Sequence, residues 1–276
     1  MWSALGHPTS RQWLQHLPLL GPLLETYIQD YVREALLLIP WLEKRPELLM
    51  EGLLYHGVTC LLAYCGGVST PTNTKKSLQL NLLCMTVDHL LDDPRTQDQT
   101  KVTLSLALQD LTAPVAGYLA PVIQLLRDLC RDCPALLPVA IKAYQAEVAS
   151  MAQSETVSSE TIRQLEWTKA IATYQMMGLA MGMTVPPAFG PLIQLCDDLL
   201  DLQLDRKAGI TTMATLAVDA GAENEYQAEI QALADELPAT YWPFKVLVGT
   251  YLDLPAREVS FRQDLTHFIQ TLLRGR

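Results

Sequence analysis

Apolar residues return every three or four positions along almost the whole chain, and this period admits helices and little else. The pattern runs through Ile28–Leu38, Leu48–Leu62, Ser77–Leu91, Val102–Leu111, Val115–Leu129, Pro138–Ala152 and Glu160–Met183. It continues through Pro191–Leu204, Thr211–Ala220, Tyr226–Leu237, Trp242–Leu252 and Ser260–Leu273. Alternating runs of β-branched and aromatic residues, the mark of strands, are nearly absent. Glycine and proline fall between the periodic stretches: Gly66–Pro71, Asp93-Pro94-Arg95, Asp132-Cys133-Pro134 and Val185-Pro186-Pro187 each predict a break. Ser159 is the expected N-cap of the helix that follows a polar turn at Ser154–Ser159. With no long linker, repeat or low-complexity tract, residues 1–276 read as one all-α domain, a bundle of about ten to twelve helices.

Such a bundle needs an apolar interior, and 49% of the 276 residues are hydrophobic. Twenty basic residues face thirty acidic ones, a net charge of −10 that argues against a general nucleic-acid binder and suits a protein that gathers divalent cations. Ala35–Pro40 and Leu17–Leu24 are the longest apolar runs, and both are short and proline-broken, so no transmembrane segment is expected. The N-terminus lacks the basic start and apolar stretch of a signal peptide, which makes the cytoplasm the expected location. Cys130-Arg-Asp-Cys133 is a lone CxxC, and the six cysteines read as reduced structural thiols.

Chemistry concentrates in two acidic clusters. In Val87-Asp88-His89-Leu90-Leu91-Asp92-Asp93, Asp88 and Asp92 stand four apart and share one helix face. In Cys196-Asp197-Asp198-Leu199-Leu200-Asp201, followed by Asp205, the acids at 197, 201 and 205 form a stripe over two turns of a leucine-rich helix, and Arg206-Lys207 close it. Ionised carboxylates on an inward face repel unless a cation holds them together. Mg²⁺ is bound by one or two carboxylates plus waters and phosphate oxygens. Two such rows facing each other across a bundle could hold a Mg²⁺–diphosphate cluster, with an apolar pocket for a hydrocarbon tail.

Asp88-His89-Leu90-Leu91-Asp92 resembles the first aspartate-rich motif of trans-prenyl diphosphate synthases, and Asp197-Asp198-Leu199-Leu200-Asp201 with Arg206-Lys207-Ala208-Gly209-Ile210-Thr211-Thr212 is similar to the second. The resemblance covers roughly residues 40–220. It implies a class I isoprenoid-synthase-type helical bundle with a central apolar cavity, a homodimer, and three Mg²⁺ ions. Asp88, Asp92 and Asp197 would be the catalytic acids, and these three with Asp201 the metal ligands. Gln153, Lys169, Arg206 and Lys207 would contact the diphosphate of a prenyl diphosphate substrate.

His89 departs from the family's second aspartate. The family's isopentenyl diphosphate site is reduced to Glu43-Lys44-Arg45-Pro46 and the single Arg95. That departure points to a terpene synthase that ionises one allylic diphosphate, then cyclises or deprotonates the cation. A prenyltransferase to a non-isoprenoid acceptor, a chain-elongating synthase and a non-catalytic helical subunit are the alternatives. Tyr64, Trp167, Tyr174 and Phe189 are candidate aromatic linings for the cation.

Overall fold

Proline and glycine cut the chain into helices at nearly every predicted break. The computed structural model describes residues 26–151, 158–252 and 270. After helix α1 (residues 26–38) come α2 (Pro46–Cys65), α3 (Pro71–Asp92), α4 (Gln97–Gln109), α5 (Ala120–Asp132) and α6 (Leu136–Ser150). Then follow α7 (Ser159–Met181), α8 (Phe189–Ala208), α9 (Met213–Ala220), α10 (Glu223–Glu236) and α11 (Trp242–Leu252). The described residues contain no strand. Gln153 and the periodic run Ser260–Leu273, except Gln270, lie outside the described residues.

The caps explain the boundaries. Pro71 opens α3, with the Thr70 side chain accepting from the Asn73 backbone N–H. Ser158, not Ser159, caps α7 by accepting from Thr161. Its extended backbone leaves the side chain free to turn back over the first turn, whereas Ser159 is already helical. Thr212 and Thr215 form a reciprocal capping box on α9, so the threonine after the second acidic cluster works as a helix start. Gly209 ends α8 with φ +72°, a conformation that a Cβ would strain. The run expected from Val115 begins as helix only at Gly117–Leu119, a short 3₁₀ turn, before α5. Pro114 and the left-handed Gly117 delay it.

Near the start of α3, Asn73 Nδ2 donates to Met181 O (3.0 Å) and Lys76 Nζ to Ala180 O (2.9 Å) at the end of α7. Toward the other end of α3, Asp88 meets Lys169. α3 and α7 therefore run in opposite directions. α8 crosses α7 closely at Gly190, where a Cβ would stand 2.9 Å from the Ala170 carbonyl carbon and the Ile171 nitrogen. The main apolar core is continuous and draws on all of the described helices α1–α11. It includes a T-shaped pair of Tyr174 and Phe189 (4.9 Å), with Phe244 against Phe189 (4.8 Å).

A buried polar seam pins α2 to α3. Thr59 Oγ1 and Ser77 Oγ are 2.5 Å apart, Asn81 Nδ2 donates to Thr59 Oγ1 (2.6 Å), and His56 Nδ1 lies 3.1 Å from Ser77 Oγ. Tyr27 and Tyr31 of α1 stack on the His56 ring. Among the described helices α2 alone has the length and composition to cross a membrane. Slightly more than half of its apolar window is buried inside the protein.

Candidate active site

α3 turns one face toward a pocket of about 300 Å³, and Asn81, Cys84, Met85, Asp88 and Asp92 lie along that face at helical spacing. His89 joins them at its edge. α8 contributes Ile193, Gln194, Asp197 and Asp201. α7 adds Lys169, Ala170, Thr173, Tyr174 and Met177, α6 adds Glu147, and α2 adds Glu51 and Tyr55. Both acidic clusters therefore face the same pocket, and Lys169 shares it.

The two clusters differ in how their side chains divide. Asp197 accepts from the Tyr55 hydroxyl at 2.8 Å, tying α2 to α8 across the pocket. Asp198, one residue on, is rotated by about 100° around the helix and leaves the lining. It is buried, accepts from Gln194 Nε2 at 2.8 Å and interacts with the Glu166 carboxyl. Burial and the Glu166 carboxyl raise its pKa well above the carboxylate range. In the first cluster Asp93 turns out to an exposed pair with Arg95 at 2.7 Å.

Lys169 lies between two carboxyls, 2.7 Å from Asp88 Oδ1 and 2.9 Å from Glu147 Oε1. One ammonium cannot keep both acids ionised in a half-buried site. Burial would raise the Asp88 pKa, but the Lys169 charge and hydrogen bond, with a hydrogen bond from Glu147, bring it below its ordinary value. Burial and the Asp88 charge push Glu147 up to about 8. Asp92, at the rim, is raised to about 6 by burial and by Asp88. Lys169 rises well above its ordinary value because its two carboxyl neighbours outweigh burial. His89 accepts from the Arg45 guanidinium through Nε2 rather than serving a carboxylate. Burial and the Arg45 charge lower its pKa and keep it neutral.

Of the expected diphosphate contacts, Lys169 is in the pocket, and Gln153 lies outside the described residues. Arg206 and Lys207 are exposed at the end of α8, and neither is among the lining residues. Arg206 pairs with Asp219 at 3.0 Å. Of the four aromatic candidates only Tyr174 lines the pocket. Tyr64 is exposed, Phe189 packs behind Tyr174, and Trp167 lies under the Arg163 guanidinium. The sequence reading passed over Glu147, Glu51, Tyr55 and Asn81. A trace of Glu147 was visible: it is the one acid on the Ala140–Ala143–Ala146 side of α6, a helix face built to pack.

The lining holds six carboxyl side chains (Glu51, Asp88, Asp92, Glu147, Asp197 and Asp201) and one lysine. Among the described residues, no three His, Cys, Asp or Glu side chains stand close enough to hold a metal ion by themselves. Mg²⁺ needs no such cage, because waters and phosphate oxygens complete its shell around one or two carboxylates. The all-oxygen donor set and its surplus negative charge fit that ion. No protein-family model, curated protein or solved structure matches the chain.

Proposed function

We propose that this protein is a class I isoprenoid synthase-like enzyme that ionises an allylic prenyl diphosphate with Mg²⁺. The reading extends to a single-domain bundle whose pocket takes the prenyl chain. The observation that carries it is that Asp88 and Asp92 of α3 line the same pocket as Asp197 and Asp201 of α8. A trianionic diphosphate would be repelled by such a lining unless divalent cations entered with it. Asp88, Asp92, Asp197 and Asp201 would hold Mg²⁺, which supplies neutralising charge to the leaving diphosphate. Lys169, already anchored by Asp88 and Glu147, is the side chain that would bind a diphosphate oxygen directly. Met85, Met177, Ile193 and Ala170 offer the apolar wall for the hydrocarbon and limit water around the allylic cation.

One lysine and no arginine among the described lining residues favours one diphosphate over two. This supports ionisation without isopentenyl diphosphate, the terpene synthase form of the reading. Purified protein should release diphosphate from at least one of the C10, C15 and C20 allylic diphosphates with Mg²⁺ and no cosubstrate. EDTA should stop it reversibly. Asp88→Asn and Asp197→Asn should each lower turnover by roughly 100-fold or more with unchanged circular dichroism. Release only in the presence of isopentenyl diphosphate would favour chain elongation. No release from any substrate, with no binding of Mg²⁺–pyrophosphate, would leave a non-catalytic subunit.

A further inference from the structure

The expected metal ligands sit on two helices, α3 and α8, and α2 makes side-chain contact with both. It is bound to α3 by the buried seam in which Thr59 Oγ1 and Ser77 Oγ are 2.5 Å apart and Asn81 Nδ2 donates to Thr59 Oγ1 at 2.6 Å. One turn before Thr59, on the same face of α2, Tyr55 lines the pocket and donates its hydroxyl to Asp197 Oδ2 of α8 at 2.8 Å. Through α2, the place of Asp197 is thereby referred to α3, the helix of Asp88 and Asp92. Tyr55 belongs to neither acidic cluster and stands 142 residues before its partner.

The two clusters are anchored differently. Asp88 is held by the Lys169 ammonium at 2.7 Å, which offsets its negative charge. Tyr55 offers Asp197 a neutral donor, which fixes the rotation of the carboxylate and leaves its charge in place. Burial and the Asp197 charge hold the Tyr55 pKa well above the ordinary tyrosine value, so the hydroxyl keeps its proton. A carboxylate has room for about four hydrogen bonds or cation contacts, so this one orients Asp197 without using up its oxygens.

We propose that Tyr55 is a positioning residue whose hydroxyl holds the Asp197 carboxylate in the rotation that receives a divalent cation. Such a role rests on the Mg²⁺–diphosphate reading above and adds to it a residue outside both acidic clusters. Carboxylates that ligate a metal take their orientation from outer hydrogen-bond partners, and losing one costs about 10–100-fold in metal affinity or activity. Without the hydroxyl, Asp197 turns about its own torsions, and a cation must first restrict that freedom.

The test is a calorimetric titration of Mg²⁺ into the whole protein with inorganic pyrophosphate present, beside diphosphate release from the accepted allylic diphosphate over the same Mg²⁺ range. Tyr55→Phe removes one oxygen and keeps the ring. It is expected to raise the Mg²⁺ concentration at half-saturation about tenfold or more in both measurements. At saturating Mg²⁺ its kcat is expected to return to within about twofold of wild type, whereas Asp197→Asn stays slow at any Mg²⁺ concentration. 4-Aminophenylalanine at position 55 restores a donor at the same reach and is expected to return the wild-type half-saturation. A packing role for the ring would leave that value unmoved in Tyr55→Phe. Unchanged half-saturation in folded Tyr55→Phe overturns the inference and leaves the parent reading standing. So does a loss of kcat that saturating Mg²⁺ does not recover. If Tyr55→Phe does not fold, 4-fluorophenylalanine, which fills the volume of the hydroxyl without a proton to donate, carries the same test. Wild-type protein that binds no Mg²⁺ with pyrophosphate and releases no diphosphate overturns the parent reading, and the inference with it.

Discussion

Lys169 shows how much a single residue's neighbours decide. Shared between Asp88 and Glu147, it keeps the first ionised and leaves the second protonated up to about pH 8. A carboxyl whose folded pKa is raised contributes stability that is full below its unfolded value and fades as pH rises through the folded one. Glu147→Gln cannot ionise, so relative to wild type it should gain stability between pH 5 and 9, read by urea denaturation at each pH. His56 has the opposite sign. Burial lowers its pKa from 6.5 to about 4, so its share of stability is present above pH 6.5 and is lost as pH falls toward 4. The wild-type protein should lose about 3 kcal/mol more than His56→Gln between pH 7 and pH 4. Asp88 and Asp92 stood out as individual letters because type and spacing mark them, whereas Lys169 was singled out only through the resemblance. Glu147 and Asn81 were not, because a single acid or amide in an apolar helix gains meaning only from what stands across from it.

At the scale of the element, one helix separates its own acids. Asp197 and Asp201 are one turn apart and share the pocket, while Asp198 turns toward α7 and meets Glu166. The same geometry lets α3 present Asn81, Asp88 and Asp92 on one side. The close crossing of α7 and α8 sets how near Lys169 comes to the second cluster, and Gly190 permits it. An added methyl there meets backbone rather than a movable side-chain end. Gly190→Ala should therefore cost about 1–3 kcal/mol in chemical denaturation and lower diphosphate release more than a stability loss of that size explains. Helix limits followed from local signals: Pro71, Gly209 and the breaks at Pro94 and Pro134 act within a few residues of themselves. The one-residue move of the α7 cap to Ser158 reflects backbone angles that residue type alone does not specify.

For the whole molecule, the decisive quantity is the excess of carboxyls over lysine in one shared pocket. Cation and diphosphate should each bind poorly alone and well together. Thermal unfolding should shift little with Mg²⁺ alone or pyrophosphate alone. With both present at about a hundredfold excess over Kd, stabilisation should reach about 2.7 kcal/mol, a rise in Tm of roughly 5–10 °C. Equal shifts from either component alone would contradict this charge argument. Arg206 and Lys207, outside the lining and with Arg206 on Asp219, should contribute little to that shift.

Amino-acid order alone determined an all-α chain, most of its helix breaks, and two acidic pairs each confined to one helix face. These depend on backbone sterics and on a 3.6-residue period, which act over a turn or two. Tertiary structure alone decided that both faces look into one pocket, that Lys169 falls between Asp88 and Glu147, and that Asp198 turns toward Glu166. Those outcomes arise where residues some twenty to more than a hundred positions apart pack against each other, and no local rule specifies the partner.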